Sequence, residues 1–469
     1  MNRITPHDIN LESALAGIVG ERYVLTDPGV KLAYERDVTG RYSGSARLVV
    51  LPADTAECAA TLAACARHGA HVVPQGGNTG LVGGGTPRAG EIVLSTRRMS
   101  AIDVLDESAH QLTAGAGATL ADAQRAASAA GFELTLDHGA RSAATLGGLA
   151  ATDAGGSLAL RYGTMRRHVT GVEAVLADGR VVSRLSGLMK DNAGYRWHDL
   201  LVGSEGTLAV ITRVRLAVAP PAGRRVSALF GVRSFSAALA LLSSLRAHVP
   251  GLRAADFFTA DGLELVCGQR RLSRPLRAPH RLYVVVECAG DGDLIAQLTG
   301  AARAGRESSA IDLDADVVVA DDSGARARLW AYRDAQNEAI RANGVPHKLD
   351  VSVPLGQLPA FAHELAELLE TQRPAARLVL YGHLGDGNVH VNILGLDESD
   401  ERVDELVLRL AATHGGTISA EHGVGVAKVK WLGLVRSAEE IALMRSLKAA
   451  FDPDGVLSPG RVLPVRTAR

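Results

Sequence analysis

Two histidines, His383 and His390, stand close together in the glycine-rich run of residues 381–392, Tyr-Gly-His-Leu-Gly-Asp-Gly-Asn-Val-His-Val-Asn. Further along the chain Glu421 and His422 are adjacent. Two imidazoles and one carboxylate can hold a catalytic metal that keeps an open coordination position. These residue types predict a metal site formed by His383, His390 and Glu421. His422 is left for proton transfer, since an imidazole titrates near neutral pH.

Strand-like alternation on both sides of residues 385–387, Gly-Asp-Gly, predicts a β-hairpin that positions these groups. A strand repeats every two residues, so His390 and Asn392 share a face, and the hairpin can bring His383 beside them. The alternative is a hairpin with core histidines and no metal, because the His-x6-His spacing is not that of a zinc finger.

A second candidate site is the glycine-rich loop Gly76–Gly85, which follows a predicted strand. Thr86 and Pro87 come before any helix, which argues against a nicotinamide fingerprint, and no P-loop sequence is present. Successive backbone N–H groups in such a loop can converge on an anion, with Asn78 and Thr79 able to add hydrogen bonds. The loop therefore favours a diphosphate cradle over an ordinary flexible connection.

Further glycine-rich stretches occur at residues 136–141, 145–148, 151–156 and 203–208. Because glycine has no side chain, the backbone of these stretches can approach a ligand closely, which would suit a long ligand lying in an extended crevice.

The sequence Gly115-Ala-Gly117 lacks a third glycine, and we interpret it as a tight turn between a strand and a helix.

The composition excludes several classes of protein. With 469 residues, 47% hydrophobic and 22% charged, the chain is an ordinary globular protein with room for two or three structural modules. A net charge of −1 gives no basis for nucleic-acid binding. Four scattered cysteines suit neither a disulfide framework nor an iron–sulfur cluster. Neither a signal peptide nor a transmembrane stretch is evident, so we expect a cytoplasmic protein, with peripheral association at the inner membrane left open.

The order of predicted elements divides the chain into segments. A βαβ unit is predicted from strand Leu48–Leu51, a helix capped at Asp54 or Thr55 and ending near His68, and strand His71–Pro74. A Pro- and Gly-containing stretch at residues 219–223 predicts a domain boundary. The predicted segments are an N-terminal helical lead-in (1–45), a ligand-binding domain (46–222), a second α+β domain with the metal site (223–435), and a C-terminal segment (436–469).

These motifs, taken together and in order, resemble a known flavoprotein superfamily. Residues 74–85, 145–156 and 203–211 resemble the FAD-binding half of the superfamily typified by vanillyl-alcohol oxidase and p-cresol methylhydroxylase. The C-terminal half resembles its D-2-hydroxyacid dehydrogenase branch, and the motifs that carry this resemblance are residues 381–392, 419–425 and 458–460.

The resemblance implies a fold and a cofactor. The implied fold class is α+β, with a two-subdomain FAD-binding domain of the vanillyl-alcohol oxidase type, an α+β substrate (cap) domain, and a C-terminal helical segment packing back on the FAD domain. Asn78 stands where covalent relatives carry a flavin-linking histidine, so the FAD is expected to be non-covalent. The implied FAD-binding residues are Pro74, Gln75, Gly76, Gly77, Asn78, Thr79, Gly80, Leu136, Gly139, Ala140, Ser142, Gly147, Gly148, Thr152, Gly155, Gly206 and Ile211.

Within the branch, the resemblance is greatest to the D-2-hydroxyglutarate dehydrogenases. Asn392 is present, whereas relatives acting on lactate or glycolate usually lack an Asn there. Arg333 and Lys348 match that subgroup's substrate-carboxylate residues, and Asn337 and Asn392 could orient the substrate. From the residues alone, Arg333 could instead form a solvated helix salt bridge and Lys348 could be a surface lysine.

Three residues depart from the subgroup's usual pattern. Asn337 replaces a Thr, which could alter how the protein binds the carboxylate of the substrate that is farther from the reacting carbon. Asp153 replaces an Asn and would place a carboxylate near the flavin, and Arg461 replaces a common Lys.

The resemblance also implies a reaction. His383, His390 and Glu421 would hold a divalent cation, Zn or Mn by ligand type. His422 would be the catalytic base and also touch the substrate, a small D-2-hydroxy acid whose hydride goes to FAD. Without a nicotinamide site, the electrons are expected to leave to an electron-transfer flavoprotein, a cytochrome or a quinone. A homodimer is the family-level expectation.

Three alternatives remain open at this point. The first is the same chemistry on D-lactate or another monocarboxylate. The second is a metal-dependent hydrolase whose glycine loops bind a nucleotide substrate. The third is a non-catalytic subunit of a flavoenzyme complex such as a glycolate oxidase.

Overall fold

The computed structural model describes residues 6–308 and 317–464, with side chains described for residues 11–305 and 317–464. Within these ranges the helices are α1 (Pro6–Val19), α2 (Pro28–Glu35), α3 (Thr55–Arg67), α4 (Leu120–Ala129), α5 (Leu146–Thr152), α6 (Ala159–Tyr162), α7 (Met165–His168), α8 (His198–Leu201), α9 (Phe235–His248), α10 (Ala260–Arg270), α11 (Leu294–Ser308), α12 (Ser323–Asp334), α13 (Gln336–Ala342), α14 (Leu358–Gln372), α15 (Glu401–Thr413) and α16 (Ala438–Phe451). The strands are β1 (Val24–Leu25), β2 (Leu48–Val50), β3 (Val72–Gln75), β4 (Ile92–Ser95), β5 (Gln111–Gly115), β6 (Val169–Val175), β7 (Val181–Arg184), β8 (Val210–Ala217), β9 (Arg225–Val232), β10 (Leu252–Thr259), β11 (Leu282–Ala289), β12 (Val317–Ala320), β13 (His347–Ser352), β14 (Arg377–His383) and β15 (Asn388–Leu394). Short 3-10 helices lie at Glu21–Tyr23, Leu355–Gln357 and Val429–Leu434.

The chain forms two compact units. Unit 1 comprises residues 1–155, 163–221 and 421–469, and unit 2 comprises residues 156–162 and 222–420. Residues 1–5 of the predicted lead-in, 309–316 of the predicted second domain and 465–469 of the predicted C-terminal segment lie outside the described residues. Among the described residues, no helix is both long enough and apolar enough to cross a bilayer.

The first sheet of unit 1 contains the predicted βαβ unit. Asp54 caps α3 by accepting a hydrogen bond from the Glu57 N–H at 2.9 Å, as the sequence predicted. The sheet order is β1-β2-β4-β3, so β4 lies between β2 and β3 and pairs in parallel with both. The apolar side of α3, which includes Cys58 and Cys65, is buried against this sheet together with α1.

The second sheet of unit 1 is antiparallel, with the order β5-β8-β6-β7. Strand β5 ends at Gly115, and Thr119 caps α4 by accepting from the Asp122 N–H at 3.1 Å. The predicted tight turn at residues 115–117 is therefore confirmed. A Cβ atom at Gly117 would overlap the Thr96 carbonyl oxygen, which explains why glycine is required there.

The C-terminal segment closes unit 1. After α16 the chain returns to the first sheet, where the Ser458 N–H donates to the Val72 carbonyl at 2.8 Å. The Arg461 side chain is fully buried and forms a bidentate pair with Glu91, with nitrogen–oxygen distances of 3.0 and 2.7 Å. This fork geometry is available to Arg but not to the Lys that the family resemblance predicts at this position.

Unit 2 is built on one antiparallel sheet of seven strands, with the order β12-β9-β11-β10-β14-β15-β13. Helix α9 begins after the Ser234 cap, and α14 follows Gln357. One end of the sheet, where β10, β14, β15 and the edge strand β13 lie side by side, carries His383, His390 and the other predicted site residues on these strands.

Candidate functional site

The predicted hairpin is present as β14 and β15. In its register Tyr381 is opposite His390 and His383 is opposite Asn388. Directly opposed residues in an antiparallel pair point to the same face, so both histidines lie on one face of the sheet. Their ring centroids are 5.6 Å apart. The sequence prediction that the hairpin brings His383 beside His390 is confirmed.

The two neighbouring strands extend this face with further polar groups. Asp256 on β10 is opposite His383, while Asp350 and Lys348 on β13 are opposite His390 and Asn392. We call this set the polar face, and its members are Asp256, Lys348, Asp350, Tyr381, His383, Asn388, His390 and Asn392. Most of the alternate residues of the same strands are apolar, with His347 on β13 as an exception, so polar groups are concentrated on one side of the sheet.

Asp256 lies at the centre of three interactions. Its Oδ1 lies 2.9 Å from His383 Nδ1, and its Oδ2 lies 2.9 Å from Arg333 Nε. Ser157 Oγ donates to Oδ2 at 2.8 Å. Burial opposes ionisation of the fully buried Asp256 carboxyl, but the charges of His383 and Arg333 outweigh it and hold its pKa below the ordinary value.

Asp350 holds a comparable position beside the second histidine. It is fully buried, and its Oδ1 lies 3.6 Å from His390 Nδ1 and accepts from Asn388 Nδ2 at 2.7 Å. Its Oδ2 accepts from the Ala420 N–H at 3.1 Å. Ala420 immediately precedes Glu421 in the chain, so Asp350 anchors the residue next to the third predicted ligand.

The arrangement of imidazoles and carboxylates fits a metal-binding role. A histidine that ligates a metal commonly directs its other ring nitrogen to a carboxylate, which fixes the ring and its tautomer. Asp256 lies within hydrogen-bond distance of Nδ1 of His383, at 2.9 Å, and the nearest oxygen of Asp350 lies 3.6 Å from Nδ1 of His390. The Nε2 atom of His383 is then the one suited to ligation.

The predicted substrate residues of unit 2 lie around the polar face. The Arg333 guanidinium lies over the Tyr381 ring, 4.7 Å from its centroid, and its side chain is only 11% exposed. Lys348 Nζ donates to Asn337 Oδ1 at 2.7 Å. Arg333 is therefore not in the solvated salt bridge that was the alternative, and Asn337, a departure from the subgroup's pattern, contacts a predicted substrate residue.

Asn392 contains a buried polar atom that lacks a protein partner. The residue is fully buried, and its Nδ2 donates to the His390 carbonyl at 3.2 Å. Its Oδ1 forms no hydrogen bond within the described residues. Such an atom in a protein interior calls for an explanation, and a bound polar ligand is one.

The remaining predicted residues, Glu421 and His422, belong to unit 1. Within that unit their side chains are 3.7 Å apart at the closest nitrogen–oxygen pair. The segment that follows them is held by Glu205, whose carboxylate accepts from the N–H groups of Val424 and Gly425 at 2.7 and 2.8 Å. Burial raises the pKa of the Glu205 carboxyl, and the two backbone donors together with Lys428 oppose that shift.

The glycine-rich stretches of unit 1 pack closely against one another at their glycines. A Cβ atom at Gly76 would overlap the Thr145 hydroxyl, and one at Gly77 would overlap the Ala143 carbonyl. Gly206 has a φ of +69°, and a Cβ there would lie 3.1 Å from Pro74 Cγ. Three stretches that are distant in sequence thus meet at residues without side chains, which fits the cradle expected for a diphosphate.

Several predicted cofactor residues use their side chains for the fold itself. Gln75 Nε2 donates to the Gly85 carbonyl at 2.9 Å, and Asn78 Nδ2 donates to the Arg36 carbonyl at 2.8 Å. Thr152 Oγ1 donates to the Gly148 carbonyl at 3.0 Å. The other predicted cofactor residues also lie in unit 1: Leu136, Gly147, Gly155, Gly206 and Ile211 are buried, Pro74, Thr79, Ala140 and Gly148 are half-buried, and Gly80, Gly139 and Ser142 are exposed.

The carboxylate of Asp153, which is predicted to lie near the flavin, forms an ion pair with Arg166. Asp153 ends α5 in a left-handed conformation with a φ of 51°, which Asp tolerates better than most residues. It accepts from the Arg166 N–H at 2.8 Å and from Arg166 Nε at 3.0 Å. The departure from the usual Asn therefore comes with a neutralising partner.

Sequence reasoning missed four residues of this region. Asp256 is a lone carboxylate in a strand whose other residues are mostly apolar, and that signal could have identified it, because a charged residue is rarely fully buried without a partner. Asp350 lies on a strand that also contains His347, Lys348 and Ser352, so its signal was weaker. Ser157 and Glu205 lie in glycine-rich segments and carried no comparable signal.

Comparison with known proteins identifies the family. Residues 46–184 match the FAD binding domain family, and residues 222–462 match the family of the C-terminal domain of FAD linked oxidases. The mitochondrial D-2-hydroxyglutarate dehydrogenase of Bos taurus is 37% identical over 96% of this chain and 83% of its own length. The D-2-hydroxyglutarate dehydrogenase of Xanthomonas citri pv. viticola is 33% identical over 99% of this chain and 98% of its own. A Schizosaccharomyces pombe protein whose provisional name is mitochondrial D-lactate dehydrogenase is 35% identical over 92% and 85%.

Solved structures confirm the predicted fold class. p-Cresol methylhydroxylase with substrate bound superimposes with a TM-score of 0.80 at 13% identity, covering 99% of both chains. The 4-ethylphenol oxidase of Gulosibacter chungangensis gives a TM-score of 0.75 at 16% identity, again over 99% of both chains. Together with the sequence matches, this confirms the resemblance predicted from the motifs: the chain belongs to the FAD-linked oxidases of the vanillyl-alcohol oxidase type, as an FAD-dependent enzyme similar to the D-2-hydroxyglutarate dehydrogenases.

Proposed function

We propose that the protein oxidises D-2-hydroxyglutarate to 2-oxoglutarate and passes the electrons to an acceptor other than NAD. The observation that carries the proposal is the pair of cations at the polar face, Arg333 over Tyr381 and Lys348 beside Asn392. Two cations suit a substrate with two carboxylates, and the Arg fork can bind a carboxylate in a bidentate manner. The names of the Bos taurus and Xanthomonas relatives support the same substrate.

We propose further that His383, His390 and Glu421 hold a divalent cation, with Zn or Mn best suited to these nitrogen and oxygen ligands. Two buried imidazoles that each face a carboxylate support this assignment. A cation at that position, when bound, supplies Lewis acidity that lowers the pKa of the substrate hydroxyl.

The remaining steps are assigned to the chain's own residues. His422 takes the hydroxyl proton, Arg333 and Lys348 bind carboxylates, and Asn392 orients the substrate through its unpartnered Oδ1. The glycine-rich backbone of residues 46–222 would hold non-covalent FAD, which would supply the hydride acceptor. The substrate and the metal are bound by residues of the segment 223–435, which includes Glu421 and His422. The acceptor is an electron-transfer flavoprotein, a cytochrome or a quinone, and the active form is a homodimer in the cytoplasm.

The substrate assignment is tested by specificity constants for D-2-hydroxyglutarate and D-lactate. We expect the wild type to prefer the dicarboxylate. We expect Lys348→Met to lower kcat/KM for it by roughly 10- to 100-fold, since a hydrogen bond to a charged group contributes about 1.5–3 kcal/mol. Lys190→Met, which removes an exposed lysine, is the matched control. A wild type that prefers D-lactate would contradict the substrate and leave the reaction type standing.

A further inference from the structure

The polar face contains a carboxylate with contacts to both halves of the proposed site. Asp256 lies 2.9 Å from His383, a proposed metal ligand, and 2.9 Å from Arg333, a proposed carboxylate-binding residue. The two oxygens of one carboxylate are thus divided between the two functions. Asp256 itself is fully buried, so water does not compete for these contacts.

Each contact has a defined consequence. On the His383 side, the carboxylate accepts from Nδ1–H and leaves Nε2 as the ligand atom. On the Arg333 side, the closest contact of the ion pair is between Nε and Oδ2 at 2.9 Å, and this contact holds the guanidinium beside the polar face. The Tyr381 ring beneath the guanidinium restricts it further.

We infer that Asp256 is a positioning residue that couples metal binding to substrate-carboxylate binding. The inference rests on the proposed function and extends it. Asp256 touches neither the substrate nor the metal; it acts through His383 and Arg333. Loss of its negative charge should weaken both sites at once, because each depends on the same carboxylate.

Unit 2 contains a matched control for this inference. His347 and Asp404 also form a buried imidazole–carboxylate pair, with 2.7 Å between Nδ1 and Oδ1. His347 is the neighbour of Lys348 on β13, so it points to the opposite face of the sheet, where α15 provides Asp404. Asp404→Asn removes the same charge from the same kind of pair without touching the polar face.

The experiment uses purified holoenzyme and two readouts. Metal affinity is measured by competition between the protein and a chromophoric chelator for Zn²⁺ in the absence of substrate, and the KM for D-2-hydroxyglutarate is measured separately from kcat. For Asp256→Asn we expect metal affinity to fall by about 10- to 100-fold, the usual range for loss of an outer partner, and KM to rise. Asp404→Asn should change neither by more than about twofold.

Double substitution separates the two routes. In an Arg333→Met background, Asp256→Asn should no longer raise KM but should still weaken metal binding, because only one of its two partners remains. If Asp256→Asn fails to fold, Ser157→Ala, which removes the donor 2.8 Å from Oδ2, should shift both readouts in the same direction by less.

The outcomes are distinct. The coupling would be overturned if Asp256→Asn left metal affinity or KM unchanged. It would also be overturned if Asp404→Asn caused losses equal to those of Asp256→Asn. A wild type that binds no metal and does not transfer electrons from D-2-hydroxyglutarate would instead refute the proposed function. That failure is visible before any variant is made.

Discussion

The glycine-rich region of unit 1 and the polar face of unit 2 are built in opposite ways. In unit 1, stretches meet where side chains are missing, as at Gly77 against Ala143. In unit 2, side chains from adjacent strands meet, as at His383 against Asp256. The first region presents backbone atoms and the second presents charged side chains. Substitutions that add a side chain at a glycine should therefore disrupt the first region, and substitutions that remove a charge should disrupt the second.

Of all the changes that affect the polar face, metal removal should cause the largest loss of activity. Exhaustive chelation should abolish reduction of the flavin by D-2-hydroxyglutarate while the flavin stays bound, because two of the three proposed ligands, His383 and His390, belong to the polar face and not to the glycine-rich region. Zn²⁺ or Mn²⁺ added afterwards should restore activity. Full activity in protein shown to be metal-free by elemental analysis would remove the metal from the mechanism.

The next largest effect is expected from His422→Ala. Positioned general bases contribute about 10²- to 10⁴-fold, so substrate-driven flavin reduction should slow by that factor. The flavin content should stay at the wild-type level, which absorbance of the purified protein measures. Unaltered turnover would show that His422 is not the base.

A pair of glycine substitutions tests the backbone-built region. Gly77→Ala places a methyl group on the Ala143 carbonyl, and the backbone must shift to accept it, at a cost of about 1–3 kcal/mol for overpacking. The melting midpoint and the flavin content should both fall. At Gly80 a Cβ would meet no protein atom within 4 Å, so Gly80→Ala should leave the midpoint of the apoprotein unchanged. Equal midpoints for the two variants would contradict the close approach described for Gly77.

The smallest effect is expected from Asn337→Thr, which restores the residue usual in the subgroup. Asn337 Oδ1 now accepts from Lys348 Nζ at 2.7 Å. The shorter Thr side chain would release the ammonium group, and we expect a change of a few-fold in KM for D-2-hydroxyglutarate with little change for D-lactate. Equal changes for both substrates would show that Asn337 does not act through the second carboxylate.

Local features of the structure were predicted from sequence, and long-range ones were not. The hairpin followed from strand alternation around the Gly-Asp-Gly turn, and the α3 cap from Asp54 before an apolar stripe, because both depend on residues near in sequence. Asp256 is 127 positions from His383. Their contact requires β10 to lie beside β14, an order that strand patterns do not encode.

The same contrast holds in unit 1. The glycine-rich stretches were each recognised as close-approach backbone, but their mutual contacts, such as Gly206 against Pro74, depend on how distant segments pack. The Asp153–Arg166 pair likewise joins two helices that are separate in sequence. In both units the residue types were visible from sequence, whereas their partners became clear only from the fold.

The central claim is oxidation of D-2-hydroxyglutarate by bound FAD. Its most direct test is the absorbance spectrum of the purified protein, recorded anaerobically before and after addition of D-2-hydroxyglutarate or D-lactate. We predict a flavin band that bleaches promptly with D-2-hydroxyglutarate and hardly responds to D-lactate. A band that bleaches only with D-lactate, or remains unchanged with both, would contradict the claim.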